Sequence, residues 1–426
     1  MTVFERMPEA GCGCCTSGEE PSLLSIDAAL AMIGRAAAPV QGTESLTLRD
    51  SAGRVLAAPI AASAALPPFD NAAMDGYAVA TGALSGEGPW RLEVSARIAA
   101  GAEPVALPGA ASAIRILTGA PIPEGADAVV MQEETHRTGG TILLSRRPVP
   151  GENIRRAGED MAAGSQVLAA GQVMGVREIA AAAAAGHSSV EVRRRLRVAL
   201  VATGSEIVAP GEALGPAGIW DVNTPMLVAA LTSPAVDLVS VTRCADDRDA
   251  LRRHLAEAAA CADLVVTTGG VSVGDEDHVK PALRDLGAEL LISGVAVKPG
   301  KPVSLGRLGP AFWLGLPGNP VSAFLTFTLF GTALVRALSG MTSRHPARRH
   351  VTTARSIRRK PGRCELRPAW RIGFDGHGRE VVDFEPAVHS ARIARLTAAD
   401  GVLLLPAETD RLPEGALVDF IPFQTC

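Results

Sequence analysis

The sequence is poor in aromatic residues and carries little net charge. Phe, Trp and Tyr together make up 4% of its 426 residues, and Tyr77 is the single tyrosine. That argues against the aromatic platforms on which proteins stack single-stranded nucleic acid. Lys+Arg number 41 and Asp+Glu 45, a net charge of −4, which argues against a nucleic-acid binder held by global positive charge. No membrane-spanning run is evident. The longest uncharged stretch, 308–335, is broken by Pro310, Pro317, Gly318 and Pro320. The remainder falls short of the roughly 20 residues a spanning helix needs and reads as a buried core helix. Glu5, Arg6 and Glu9 precede any apolar run, unlike a secretory signal. Seven cysteines, an odd number, fit reduced thiols and a cytoplasmic location better than a disulfide framework.

What the chain has in quantity is glycine (44) and proline (30), which promises many turns and backbone-lined loops. The length suggests several domains. Residues 1–20 read as a disordered tail whose Cys12, Cys14 and Cys15 lack a fourth metal ligand. Segments 21–60 and 151–195 read as one discontinuous helical or linker domain, with apolar Ala29, Leu30, Met32 and Ile33 at helical spacing and Gly186 as a helix terminator. Between them, 61–150 alternates short apolar runs with Gly and Pro, the pattern of a β-rich insert. In 196–342, strands without polar alternation alternate with helices, predicting a largely parallel α/β sheet. The helix over 247–260 is expected to start at Asp246 or Asp247 and to bury Leu251, Leu255 and Ala258. Residues 343–426 read as a small all-β domain. Its segment 343–372 holds ten basic residues against Glu365 alone, a local basic face suited to an anion.

Chemistry is expected at the carboxyl ends of the α/β strands, where open sheets bind ligands. Three loops fall there: Thr203-Gly-Ser-Glu206, the run from Gly269 and Gly270 through Ser272 and Gly274 to Asp277, and Pro317-Gly-Asn319-Pro320. Glycines let backbone N–H groups approach phosphate oxygens, and Asn319 with Pro320 also suits an ordinary helix start. Asp275, Glu276 and Asp277 in succession repel one another unless a cation sits among them, and Mg²⁺ typically takes one or two carboxylates. Lys298 and Lys301 belong to one proline-framed turn and can converge on an oxyanion; the only other lysines are Lys280 and Lys360. Two further acidic motifs surround Asp70 and Asp75, and Glu159 and Asp160, the latter beside Arg155 and Arg156.

In order, FDNAAMDGYAV, TGAPIPEGADAVVMQEE, RRAGEDM, VATGSEIV, WDVNTPML, TTGGVSVGDEDHVKP, VKPGKPVSLG and LPGNPVSAF resemble the molybdopterin molybdenumtransferases, the MoeA or gephyrin E-domain family, over residues ~22 to 426. The resemblance implies a homodimer of four-domain subunits, each with a central molybdopterin-binding α/β domain, a β-rich insert and a C-terminal β-barrel-like domain. It implies insertion of molybdenum from molybdate into adenylylated molybdopterin, with release of AMP and with Mg²⁺ as cofactor. The matching positions are Asp75, Thr118, Asp160, Glu206, Asp246, Ser272, Asp277, Lys298, Lys301 and Ser322, with looser matches at Arg363 and Ser390. Acids of the insert and the C-terminal residues are expected at the α/β cleft, some from the partner subunit. Ala72 and Ala391 depart from the small polar residues common there. Asp277 and Asp275 are the expected cation ligands. Lys298, Lys301 and Arg363 are the expected holders of molybdate and phosphate. Molybdopterin adenylyltransferase and molybdoenzyme-maturation proteins are candidate partners. The rival readings are a molybdopterin adenylyltransferase, a tungsten-inserting paralogue and a non-catalytic scaffold.

Overall fold

The computed structural model describes residues 23–271, 277–387 and 389–423. The lead with Cys12, Cys14 and Cys15, and the loop positions Ser272, Gly274 and Asp275, lie outside the described residues.

The strand Leu196–Thr203 is buried at every position but Arg197, so both of its faces must be covered. It sits second in a six-stranded sheet ordered Val236–Cys244, Leu196–Thr203, Leu264–Thr268, Ala311–Leu316, Ser304–Leu308 and Glu289–Ser293. The first four strands are parallel, and the last two fold back antiparallel. Alternate residues divide between two cores. Val198 and Leu200 face a core completed by the helical run Pro320–Leu338, whereas Ala199 and Val201 face the helices Arg248–Cys261 and Val279–Asp285. Pro320–Leu338 is long and apolar enough to cross a membrane by length and composition, but 72% of it is buried inside the protein. It is the expected core helix, extended past residue 335 by one further turn.

Ser25 caps the helix Ile26–Ala36 by accepting the Ala28 N–H at 3.1 Å. Ile26, Ala29, Leu30 and Ile33 form its buried stripe. They join the α/β core rather than a separate helical domain, because the partner surface for that stripe is the Thr332–Leu338 end of the long helix. Strands join the segments on either side of the insert. Thr43–Thr47 pairs with Ser189–Arg193, and Ile60–Ala61 with Gln166–Leu168, over a core shared with the helix Val176–Ala184. Between these returns, the insert forms a six-stranded sheet running from Gly76–Val79 to Thr141–Leu144 in sequence. Tyr77 is buried there, with the Arg115 guanidinium 5.1 Å from its ring centre.

The C-terminal domain closes into a five-stranded barrel because Cys364–Phe374 pairs with both Glu380–Phe384 and Gly401–Leu405. Val297–Lys298 adds to its outside, parallel to Cys364 and Glu365, so the lysine turn is stitched to the barrel by main-chain bonds. One carboxylate, Glu365, is buried between Arg367 (2.6 Å) and Arg359 (3.5 Å), which are buried as well. Arg359 also donates to the carbonyl oxygen of Thr409 at 2.6 Å and to those of Pro406 and Arg363. Removing one member of such a set strands the others without water. Glu365→Ala is therefore expected to cost about 3–5 kcal/mol of barrel stability, read as a lowered urea midpoint in Trp370 fluorescence. Glu365→Gln, which keeps an acceptor, should cost less.

Candidate functional site

The first and third strands of the chain in this sheet lie side by side, and their carboxyl ends part where the connections leave in opposite directions. A cleft of about 870 Å³ opens there, between the Thr203–Glu206 loop, the 220–223 segment, Thr268–Gly270 and the Gly318–Pro320 turn. Gly269 has φ +92°, and a Cβ there would stand 2.4 Å from the Thr203 carbonyl oxygen, so only glycine lets the two loops touch.

Asn223 was not singled out by its residue type, yet it fixes this geometry. Its Nδ2 donates to Thr268 Oγ1 at 2.8 Å and to the Gly318 carbonyl at 2.7 Å, joining the second and third loops. The Gly318 oxygen can only accept, which settles the amide orientation. Asp221 Oδ1 accepts the Thr224 N–H at 2.9 Å and so caps the helix Asn223–Leu231. The two aspartates offered as start of the next helix separate in role. Asp247 is the cap, accepting from Ala250 N at 2.7 Å. Asp246 turns to the cleft, where its Oδ2 accepts the Ser205 N–H at 2.8 Å and its own N–H donates to Ser205 Oγ at 3.1 Å. Its carboxylate thus positions the loop carrying Glu206. Asn319 and Pro320 open their helix as expected, but the Asn319 side chain makes no capping bond and lines the cleft instead.

Asp277 follows the glycine loop. Burial pushes its carboxyl up to about 6, against the pull of Lys280 and His278, and burial likewise lowers Lys280. The Val279 amide is close enough to favour the charged form but lies outside hydrogen-bonding geometry. Both carboxylate oxygens are buried without a partner among the described residues. Two orphaned hard oxygens fit a divalent cation such as Mg²⁺, which seldom takes more than one or two protein carboxylates. No group of three His, Cys, Asp or Glu side chains able to hold a metal occurs among the described residues.

Lys298 and Lys301 are exposed and do not line the cleft; their turn packs instead on the side of the long helix, where a Cβ on Gly300 would meet Thr326 Cγ2 at 2.4 Å. Arg363 joins them, donating to the Val297 carbonyl at 3.3 Å. Ser390 approaches from the barrel, its carbonyl accepting the Val321 N–H at 3.0 Å, and Ala391 reaches the cleft lining. These contacts lie within one chain. Ser322 is 3% exposed inside the helix and outside the cleft lining, since the first turn points it into the core. The expected basic face is largely neutralised. Arg348 pairs with Asp27, Arg349 with Glu380, Arg355 with Asp383, and Arg359 and Arg367 with Glu365; three of these bridges run to acids outside the segment and two to the acid buried within it.

In the insert, Asp75 and Thr118 come together: Oδ1 accepts from Thr118 N at 2.7 Å and from Thr118 Oγ1 at 2.8 Å, which holds the Asp75 carboxyl below its usual range. An ion pair of Arg156 with Asp70 at 2.6 Å joins the two acidic motifs, leaving Asp160 exposed. Asp75, Thr118 and Asp160 are absent from the lining of the cleft.

The Asp277 environment has a measurable consequence. A carboxyl whose folded value is raised favours folding while protonated and loses that contribution as pH rises from about 4 through about 6. Without metal, Asp277→Asn is expected to melt higher than the parent at pH 8, with the advantage gone near pH 4. Thermal unfolding across pH in EDTA checks this; an equal difference at both pH values would contradict it.

Three family models cover the chain in order: the MoeA N-terminal region (domain I and II) over residues 24–186, a probable molybdopterin binding domain over 199–337, and the MoeA C-terminal region (domain IV) over 350–423. The chain is 36% identical over 404 residues to a molybdopterin molybdenumtransferase of Haemophilus influenzae, covering 94% of this chain and 99% of that one. It is 34% identical to molybdopterin molybdenumtransferase 2 of Mycobacterium tuberculosis, covering 86% and 92%. The crystal structure of a molybdopterin biosynthesis MoeA protein from Pyrococcus horikoshii OT3 superposes with a TM-score of 0.80 at 27% identity, over 94% of this chain and 100% of that one. With its insert, α/β cleft and closed barrel all matched in sequence order, this chain belongs to the MoeA family of molybdopterin molybdenumtransferases.

Proposed function

We propose that the protein inserts molybdenum from molybdate into adenylylated molybdopterin, releasing AMP, in molybdenum cofactor biosynthesis. The observation that carries the reading is the joining of three elements at the first turns of one helix: Gly269 and Gly270, the lysine turn tied to the barrel, and the cleft at the sheet's switch point. An adenylyltransferase needs only the α/β unit; the insert and barrel of this chain are matched as well.

The chain's own residues divide the work. Asn223, Gly269 and Asn319 set the cleft walls against which the substrate is oriented, and orientation alone can supply a large share of the acceleration. Lys298, Lys301 and Arg363 hold molybdate and phosphate oxygens. Fixed cations aimed at developing negative charge are usually the largest catalytic contribution. Asp277, with Asp275, would hold Mg²⁺, which when bound neutralises charge on the phosphoanhydride oxygens. Asp75 and Asp160 are assigned to the site of a partner subunit, because they do not line the cleft of their own chain. A homodimer and a cytoplasmic setting belong to the same reading.

Supplying adenylylated molybdopterin, molybdate and Mg²⁺ to the purified protein should give AMP and active cofactor. Asp277→Asn should abolish anhydride cleavage while the substrate still binds. Lys298→Ala and Lys301→Ala should raise the molybdate requirement, more so at high ionic strength where the turn is exposed. Excess molybdate should partly rescue the lysine variants and leave Asp277→Asn inactive. Equal rescue of both kinds, or of neither, contradicts this division. Sedimentation at micromolar concentration is expected to show a dimer, and an active monomer would remove the partner's acids from the site.

A further inference from the structure

Trp220 stands out among the large apolar side chains. It is 53% exposed, beside Ile219 at 55% and Leu214 at 42%. All three belong to the excursion between Thr203 and Asn223, and all three line the cleft. Single exposed apolar residues are ordinary, but three gathered on one cavity wall mark a surface that something covers. The indole is held in place. Ile219 N–H donates to the Glu206 carbonyl at 2.9 Å and Asp221 N–H to the Val208 carbonyl at 2.8 Å, fixing the backbone on either side. The ring Nε1–H donates to the Glu212 carbonyl at 3.4 Å. A ring anchored by its N–H edge leaves a face to the cleft.

Charge narrows what covers it. Glu206, Asp221 and Asp246 line the cleft, and among the described residues no Lys or Arg does. Asp221 and Asp246 are engaged by backbone N–H groups. The Glu206 carboxylate has no hydrogen-bond or ion-pair partner among the described residues. Carboxylates repel phosphate, and the cations suited to it stand apart on the lysine turn. The part of the substrate seated here is therefore a ring, and one that offers donors. A pterin presents a ring N–H and an amino group side by side, two parallel donors that match the two oxygens of a carboxylate. Adenine sets its amino group between ring nitrogens that only accept, which a carboxylate repels.

We propose that Trp220 stacks on the pterin ring of the substrate while Glu206 accepts its two-donor edge; this rests on the reading of the cleft as the seat of adenylylated molybdopterin. Trp220 thereby selects for a planar ring and Glu206 for the pterin type.

The test is isothermal titration of the full-length protein with two ligands of like charge, AMP and a 6-substituted pterin monophosphate. The pterin phosphate should bind the parent and Trp220→Phe within about threefold of each other. It should bind Trp220→Leu and Glu206→Gln about tenfold or more weakly, the usual scale of a ring stacked on an aromatic side chain. AMP affinity should be the same in all four proteins. Leucine keeps an apolar group at an exposed position, and an unchanged melting temperature verifies that the fold is intact. Pterin affinity indifferent to Trp220→Leu overturns the proposal alone. Weakening of AMP instead of the pterin phosphate assigns the ring site to adenine and overturns it too. If neither ligand binds the parent, the reading of the cleft falls and the proposal falls with it.

Discussion

The site depends on one buried helix, Pro320–Leu338. Its apolar length faces the parallel sheet on one side and the helix Ile26–Ala36 on another, so its axis is fixed by packing that no site residue provides. Its first turn then becomes a rigid reference. Gly318 and Asn319 lead into it from the cleft, Asn223 bonds to Gly318, Gly300 of the lysine turn packs on Thr326, and the Ser390 carbonyl takes the Val321 N–H. Interiors packed to crystal density transmit displacement, so a shift of this helix moves every one of those groups together. Main-chain pairing of Val297–Lys298 with Cys364–Glu365 closes the same circuit through the barrel. The buried Arg359–Glu365–Arg367 set keeps that end of the barrel from yielding.

Around this reference the charges are separated by sign. The cleft is lined by carboxylates, the turn beside it by ammonium groups, and the helix start lies between them. A substrate with rings at its ends and phosphates in its middle is oriented by such a division before any reaction occurs. Oppositely charged walls also keep one another's field local, because exposed charges are screened over about 10 Å at ordinary salt. The many arginines of residues 343–372 do not blur this pattern, since most are consumed in bridges to acids.

Much of this was legible in the sequence, for identifiable reasons. Strands with no polar alternation require cover on both faces, which dictates helices on each side and a parallel arrangement. Glycines at strand ends announce loops in close contact, and Gly269 is one. Other features depend on partners distant in sequence. An amphipathic stripe says which face of Ile26–Ala36 is buried but not that the cover comes from residues 332–338. Asp246 and Asp247 are equivalent by spacing, and only the position of Ser205, forty-one residues earlier, separates them. The basic segment looked uncompensated because its partners Asp27, Glu380 and Asp383 lie outside it. Ser322 shares a motif with exposed neighbours, but helical geometry turns it inward. Asn223 carried a signal in the WDVNTP run, yet an amide declares no role until its two acceptors are in place.

The treatment of aspartates separates structure from chemistry. Asp263 is partly buried, but Arg194 and Arg197 outweigh that burial and hold its carboxyl well below the usual range. Arg248 does the same for Asp285, the Ala157 amide with Arg156 for Asp70, and Thr118 for Asp75. In each case the fold supplies donors that favour the charged form. Asp277 is the reverse: its carboxyl is driven up, its oxygens are buried without a hydrogen-bond partner among the described residues, and the nearby Lys280 is itself pushed toward neutrality. A purely structural aspartate in that environment would be outcompeted by asparagine, because an uncharged amide avoids the desolvation of a lone carboxylate. In the proposed reading, a cation brought with the substrate would remove that cost. The same burial that weakens the free protein at neutral pH would then sharpen the difference between empty and loaded states.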